Sequence, residues 1–137
     1  MAVSSPGAGS SGFAINADAS GQAIGVTIKQ ANLGAGTLTP GQTVTVQFDW
    51  MGSDAAGGVV NVQMFSELSG GGVSATAPIL GGAGFPGTWT QVGPMDITVG
   101  PDVSGGVTLE MTAICGADPG CVSNIFFDNV SIKTPVP

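Results

Sequence analysis

The chain has 137 residues, 24 of them Gly and 9 Pro, yet 42% are hydrophobic, which is enough apolar surface for one globular domain with a two-layer core. Nine carboxylates face only Lys29 and Lys133, with no Arg and no His. A nucleic-acid partner, which requires cations to displace phosphate counterions, is therefore excluded, and so are His-dependent triads and His-bound zinc.

In chain order, residues 1–11 read as a flexible Ser/Gly/Pro lead. MAVSSPGAGSSG has neither the charged nor the apolar region of a signal peptide, so Met1 is expected to be an initiator standing where a leader was trimmed. Residues 12–133 then alternate short apolar runs with Gly, Pro, Asn and Asp clusters, the pattern of an all-β antiparallel sandwich of about eight strands. The predicted strands are 12–17, 23–30, 43–51, 59–68, 88–93, 95–99, 106–115 and 124–133, and a Pro-rich tail, 134–137, follows. The segment from Ser69 to Thr88 shows little patterning and is predicted to be a loop, long enough to invite a functional role or to cover one end of the sandwich. No apolar run reaches the length of a membrane span.

Period-two alternation assigns faces within the clearest strands. Val44, Val46, Phe48 and Trp50 share one parity, as do Val60, Val62 and Met64, and Val107, Leu109, Met111 and Ala113. These are the predicted core. The opposite parity carries Gln47 and Asp49, then Asn61, Gln63 and Glu67, then Glu110. If the three strands lie in one sheet, those six side chains form a polar platform able to hydrogen-bond hydroxyl-rich ligands. Phe65, on the polar parity, and Phe85, in a Gly-rich segment, are the candidates for an apolar contact with a ligand. Trp50 follows the core parity, and Trp89 is expected to pack near a rim.

Cys115 and Cys121 enclose Asp118, Pro119 and Gly120, turn formers that suit a disulfide closing a hairpin. The rival, a redox dithiol, normally has two intervening residues, not five. A structural disulfide implies an oxidising compartment, hence a secreted or cell-surface location.

LTPGQTVTVQFDW at 38–50, Trp89 in GTWTQVGPMDITV, and NIFFDNVSI at 124–132 resemble the opening, central and closing strands of jelly-roll carbohydrate-binding modules. The acidic Phe-Glu pair of that family's first strand is missing, and Val44 stands where its opening strand usually has Tyr. The resemblance implies a jelly-roll fold and sugar binding. It also implies a structural calcium at Asp128, with Asn129 and Asp18 as further oxygen donors. The alternative for Asp128 is a carboxylate capping backbone amides at a strand bend. GPDVSGGVTLEM, FSELSGGGVSA and the ending TPVP resemble exported bacterial proteins with a Pro-Glu-Pro C-terminal sorting signal, which implies an exopolysaccharide matrix.

The leading expectation is a non-catalytic extracellular domain that binds a polysaccharide through a polar sheet face and adjacent loops. The alternative is a self-assembling subunit of a surface fibre or biofilm matrix, favoured by the 8% charged content and a mean hydropathy of +0.40. A small glycan hydrolase or lyase using Asp49, Glu67 or Glu110 ranks third, because no motif of catalytic acids is visible and no Tyr, Arg or His is present to orient a sugar.

Overall fold

The computed structural model describes the backbone of residues 2–4 and 11–18 and the whole of residues 23–134. The remainder of the expected lead and tail lies outside the described residues. Nine strands are seen: β1 (Ala2–Ser4), β2 (Ser11–Asp18), β3 (Ile24–Leu33), β4 (Thr43–Ala55), β5 (Val59–Glu67), β6 (Val73–Gly82), β7 (Thr90–Thr98), β8 (Gly106–Cys115) and β9 (Val122–Lys133). They form two antiparallel sheets. Sheet A has the order β1-β2-β9-β4-β7 and sheet B the order β3-β8-β5-β6, a jelly-roll-like sandwich as the alternating pattern predicts.

The predicted core faces meet between these sheets. Val44, Val46, Phe48 and Trp50 of β4 are buried against Val60, Val62 and Met64 of β5 and Val107, Leu109, Met111 and Ala113 of β8, with Ile125 and Phe127 from β9. Phe48 and Phe127 pack edge to face with ring centroids 5.7 Å apart. Gly52 lets β4 pass beside β9, since a methyl there would collide with the Asn124 carbonyl and crowd Phe85.

Three sequence expectations need correction. The segment 69–88 is not one loop, because it contains β6. Its VSATAPILGG lacks clean alternation and carries Pro78, which an edge strand tolerates on the side that donates to no neighbour. The two runs at 88–93 and 95–99 are one strand, β7, whose register against β4 shifts between Val46 and Phe48, opposite Gly93 and Pro94. Finally, Cys115 and Cys121 are bonded but do not close a hairpin. β8 pairs with β3 and β5, whereas β9 pairs with β2 and β4, so the disulfide clamps the chain where it crosses from one sheet to the other. Both cysteines are buried.

Candidate functional site: the outer face of sheet B

The expected single platform is divided. Gln47 and Asp49 lie on β4, in sheet A, while Asn61, Gln63, Glu67 and Glu110 lie on β5 and β8, in sheet B. Because the core parities of the three strands all point inward, the polar parities of the two sheets point away from one another. Alternation within a strand fixes the face but cannot say which sheet a strand joins, and that is why the sequence merged them.

Five predicted residues, Asn61, Gln63, Phe65, Glu67 and Glu110, are nevertheless brought together on sheet B, and the structure adds partners the sequence reading missed. Register places Lys29, Glu110 and Gln63 in one cross-strand row. Lys29 Nζ lies 3.2 Å from Glu110 Oε2, and Gln63 Nε2 donates to Glu110 Oε1 at 3.0 Å. A second row runs Thr27, Thr112, Asn61, with the two hydroxyls 3.0 Å apart. In a third, Phe65 stands half-buried between Thr108 of β8 and Thr76 of β6. At the end of β5, Asn32 Nδ2 donates to Glu67 Oε2 at 3.2 Å and to the Gly105 carbonyl at 2.8 Å. Asn32 adopts a positive φ of 55° at the bulge of β3, a position that amide side chains tolerate better than most. The result is a hydrogen-bonded polar surface, with one aromatic ring at its middle and edges formed by β3 and β6.

This face does not assemble a paired-acid catalyst. Gln63 and Glu67 are four residues apart on one strand, so Glu67 and the carboxylate of Glu110 opposite Gln63 are separated by roughly 13 Å at 3.3 Å per residue. That exceeds the roughly 5–9.5 Å over which glycosidase carboxylates cooperate. Asp49 is on the other sheet.

On sheet A, Asp49 and Asp128 are cross-strand partners, and Asn129 Nδ2 donates to Asp49 Oδ2 at 2.8 Å. Asp128 is buried, and its Oδ1 accepts from the Asn129 amide at 2.7 Å, where Asn129 takes a positive φ of 52°. The bend-capping role weighed for Asp128 is therefore present. The described side-chain donors here are two carboxylates and one amide, and calcium takes its remaining oxygens from backbone carbonyls and water. Among the described residues no group of three or more acidic or cysteine side chains gathers here, and the side chain of Asp18 lies outside them.

Phe85 is not an outward ligand contact, because it packs against Trp50 with ring centroids 5.5 Å apart. Its loop is pinned by Asp54, whose Oδ2 accepts from Gly84 N at 3.0 Å and whose Oδ1 accepts from Phe85 N at 3.1 Å. These two amides hold the Asp54 carboxyl below its ordinary range. Trp89 is half-buried. A separate cleft of about 520 Å³ opens between the sheets, lined by Leu33, Leu38, Val44, Val107, Val130 and Ile132 among others.

No family model matches the chain, and no curated protein matches it. Among solved structures, that of infectious bursal disease virus strain Gt superposes with a TM-score of 0.55 at 11% identity over 88% of this chain. A crystal structure of the same virus's particle gives 0.55 at 12% identity, again over 88%. The chain spans about 30% of the length of those viral chains. The CBM22-2 xylan-binding domain of Paenibacillus barcinonensis Xyn10C aligns over 89% of this chain and 78% of its own at 18% identity, with a TM-score of 0.48. At such identities the viral likeness establishes the fold and nothing finer: this chain is a jelly-roll-like β-sandwich.

Proposed function

We propose that this domain is a structural subunit outside the cell that associates with copies of itself through the edges of sheet B. The observation that carries the reading is how differently the edges of the two sheets are guarded. Sheet A ends in the three-residue β1 and in β7, which is bulged and carries Pro94 and Asp96. Short, bulged, proline-bearing or charged edges resist pairing with other chains. Sheet B ends in two ten-residue strands, β3 and β6, which are also bulged, with Pro78 in β6. They bear one charge between them, Lys29, and keep regular runs at Ile24–Gln30 and Ala75–Pro78. The two exposed large hydrophobic residues of the described chain, Ile24 at 42% and Val73 at 48%, sit on these two strands.

Strand direction supports the same reading. Four strands alternate in direction across sheet B, so β3 and β6 run oppositely, and the β6 of one copy meets the β3 of the next as an antiparallel pair. Such a contact joins different surfaces and does not close on itself, and repeating it extends a filament. Pro78 removes one donor from β6, and bulges at Ser74 and Ile79 leave Ala75–Pro78 as its regular stretch. An extracellular setting agrees with the disulfide. In sedimentation velocity the wild-type protein should shift to larger species with rising concentration, and Val73→Lys should abolish the shift. A wild type that stays monomeric throughout the micromolar range would exclude the reading.

A second reading, polysaccharide binding, is favoured by the Lys29–Glu110–Gln63 row beside Phe65, since a sugar ring stacks on an aromatic while its hydroxyls meet neighbouring amides and carboxylates. On this reading Gln63→Ala or Phe65→Ala weakens retention on a polysaccharide column several-fold, each hydrogen bond being worth about 0.5–1.5 kcal/mol net. Glu110→Gln should retain much of the binding. Alanine changes at Gln47 and Asp49, on the opposite sheet, should leave it unchanged.

A further inference from the structure

We infer that Asn129 is a glycosylation site, its side-chain amide carrying an oligosaccharide on the outer face of sheet A. The inference rests on the extracellular setting read from the disulfide and is independent of self-association through sheet B.

Asn129-Val130-Ser131 is an Asn-x-Ser sequence whose central residue is not proline, the pattern that N-glycosyl transfer requires. Of the five asparagines, Asn16, Asn32, Asn61, Asn124 and Asn129, only the last has a hydroxyl residue two positions on. So short a match arises easily by chance, and what gives it weight is where the fold puts it. Ser123, Ile125 and Phe127 of β9 are buried, and regular alternation would bury Asn129 after them. A bulge prevents this. Asp128 pairs with Asp49 and Ser131 with Gln47, so three steps along β9 match two along β4, and the chain absorbs the difference at Asn129, whose φ is 52°. Asn129 is thereby turned outward and exposed, while Val130 and Ile132 take the inward parity and pack against the core. Ser131 then returns to the outer side, so the amide and the hydroxyl of the sequence share one face.

The amide nitrogen carries two hydrogens. One is donated to Asp49 Oδ2 at 2.8 Å, which leaves the other to be replaced. Transfer joins Nδ2 to the anomeric carbon of a sugar carried on a lipid diphosphate. That carbon's bond to the phosphate oxygen breaks, the lipid diphosphate leaves, and one Nδ2 proton passes to a base of the transferase. The secondary amide so formed keeps one N–H for Asp49. On the same face, one row away, Met51 and Phe126 are half-buried cross-strand neighbours, an apolar pair that an oligosaccharide rooted at Asn129 can cover. The edge strands β3 and β6 belong to the other sheet and stay clear of it.

The test is tandem mass spectrometry of the full chain recovered from the medium or surface of the cells that make it. The wild type is expected to carry a hexose or N-acetylhexosamine chain on Asn129. Ser131→Ala leaves Asn129 and its hydrogen bond to Asp49 in place but removes the hydroxyl that the transferase reads, so this variant should have the unmodified mass. Ser131→Thr, which keeps a hydroxyl, should carry the glycan. An unmodified Asn129 in the wild type, or a glycan that persists there in Ser131→Ala, would overturn the inference. The same spectra report the state of Cys115 and Cys121. An unmodified Asn129 beside an intact disulfide overturns the glycosylation site alone, whereas an unmodified Asn129 beside two free thiols overturns the extracellular setting with it.

Discussion

Asp54 is only half-buried, yet it organises a loop, because its two carboxylate oxygens accept the Gly84 and Phe85 amides and so hold Phe85 against Trp50. Asp102 does similar work, with Oδ1 accepting the Ser104 hydroxyl at 2.6 Å and the Ser104 amide at 2.9 Å, and its carboxyl is likewise lowered, first by the hydroxyl. Both carboxyls are held below the ordinary Asp range in the folded chain. Their stabilisation is therefore present above the ordinary Asp pKa and is lost as pH falls through the lowered folded values. Amide-exchange protection at Gly84 and Phe85 should decline over that acid window, and Asp54→Ala should remove it at neutral pH. In the core, Phe48 is fully buried against Phe127, and Phe48→Ala should cost about 3–5 kcal/mol in chemical denaturation.

At the scale of elements, the disulfide joins the last residue of β8, in one sheet, to Cys121, the residue just before β9 of the other. It closes a short loop, so reducing it should lower stability by only about 2–3 kcal/mol, measured as the difference between denaturation curves with and without reductant. The calcium expectation belongs to β9 as well. If Asp128 and Asn129 help bind a cation, chelation should lower the melting temperature and added calcium should restore it. Asp128→Asn should abolish that response.

How much of each element was legible follows from what its residues had to satisfy. β4, β5 and β8 bury one face cleanly, and alternation of Val, Phe and Met against Thr, Gln and Asn marked their parity residue by residue. β6 is an edge strand with intermediate burial on both faces and an internal proline, so no buried face imposed a pattern on it. Val99 and Val103 are buried although they flank the Gly100–Asp102 turn, because the loop folds inward and Gly100 N donates to the Ser66 hydroxyl. Partner strands are set by contacts distant in sequence, which periodicity cannot encode. For that reason the polar residues of the candidate site are legible in the sequence, but their division between sheets and their partners Lys29 and Asn32 are not.

Seen whole, the molecule is a sandwich whose two sheets are finished differently at their edges, sheet A by the short β1 and the charged β7, sheet B by two ten-residue strands that are bulged but nearly uncharged. Its low charge leaves little long-range repulsion pattern to orient or prevent contact between copies beyond the net charge of −7. Raised ionic strength should therefore favour association by screening that net repulsion, which light scattering at several salt concentrations would register.

The central claim is that β6 of one copy pairs with β3 of the next, and mixing two blocked variants tests it most directly. Ile24→Lys disables the β3 edge and Val73→Lys disables the β6 edge, so each variant alone retains one competent edge with nothing to meet. Sedimentation velocity should find each variant monomeric alone and a one-to-one dimer, stopping at two, when they are mixed. Dimers of either variant by itself, or no dimer in the mixture while the wild type still associates, would contradict head-to-tail pairing through sheet B.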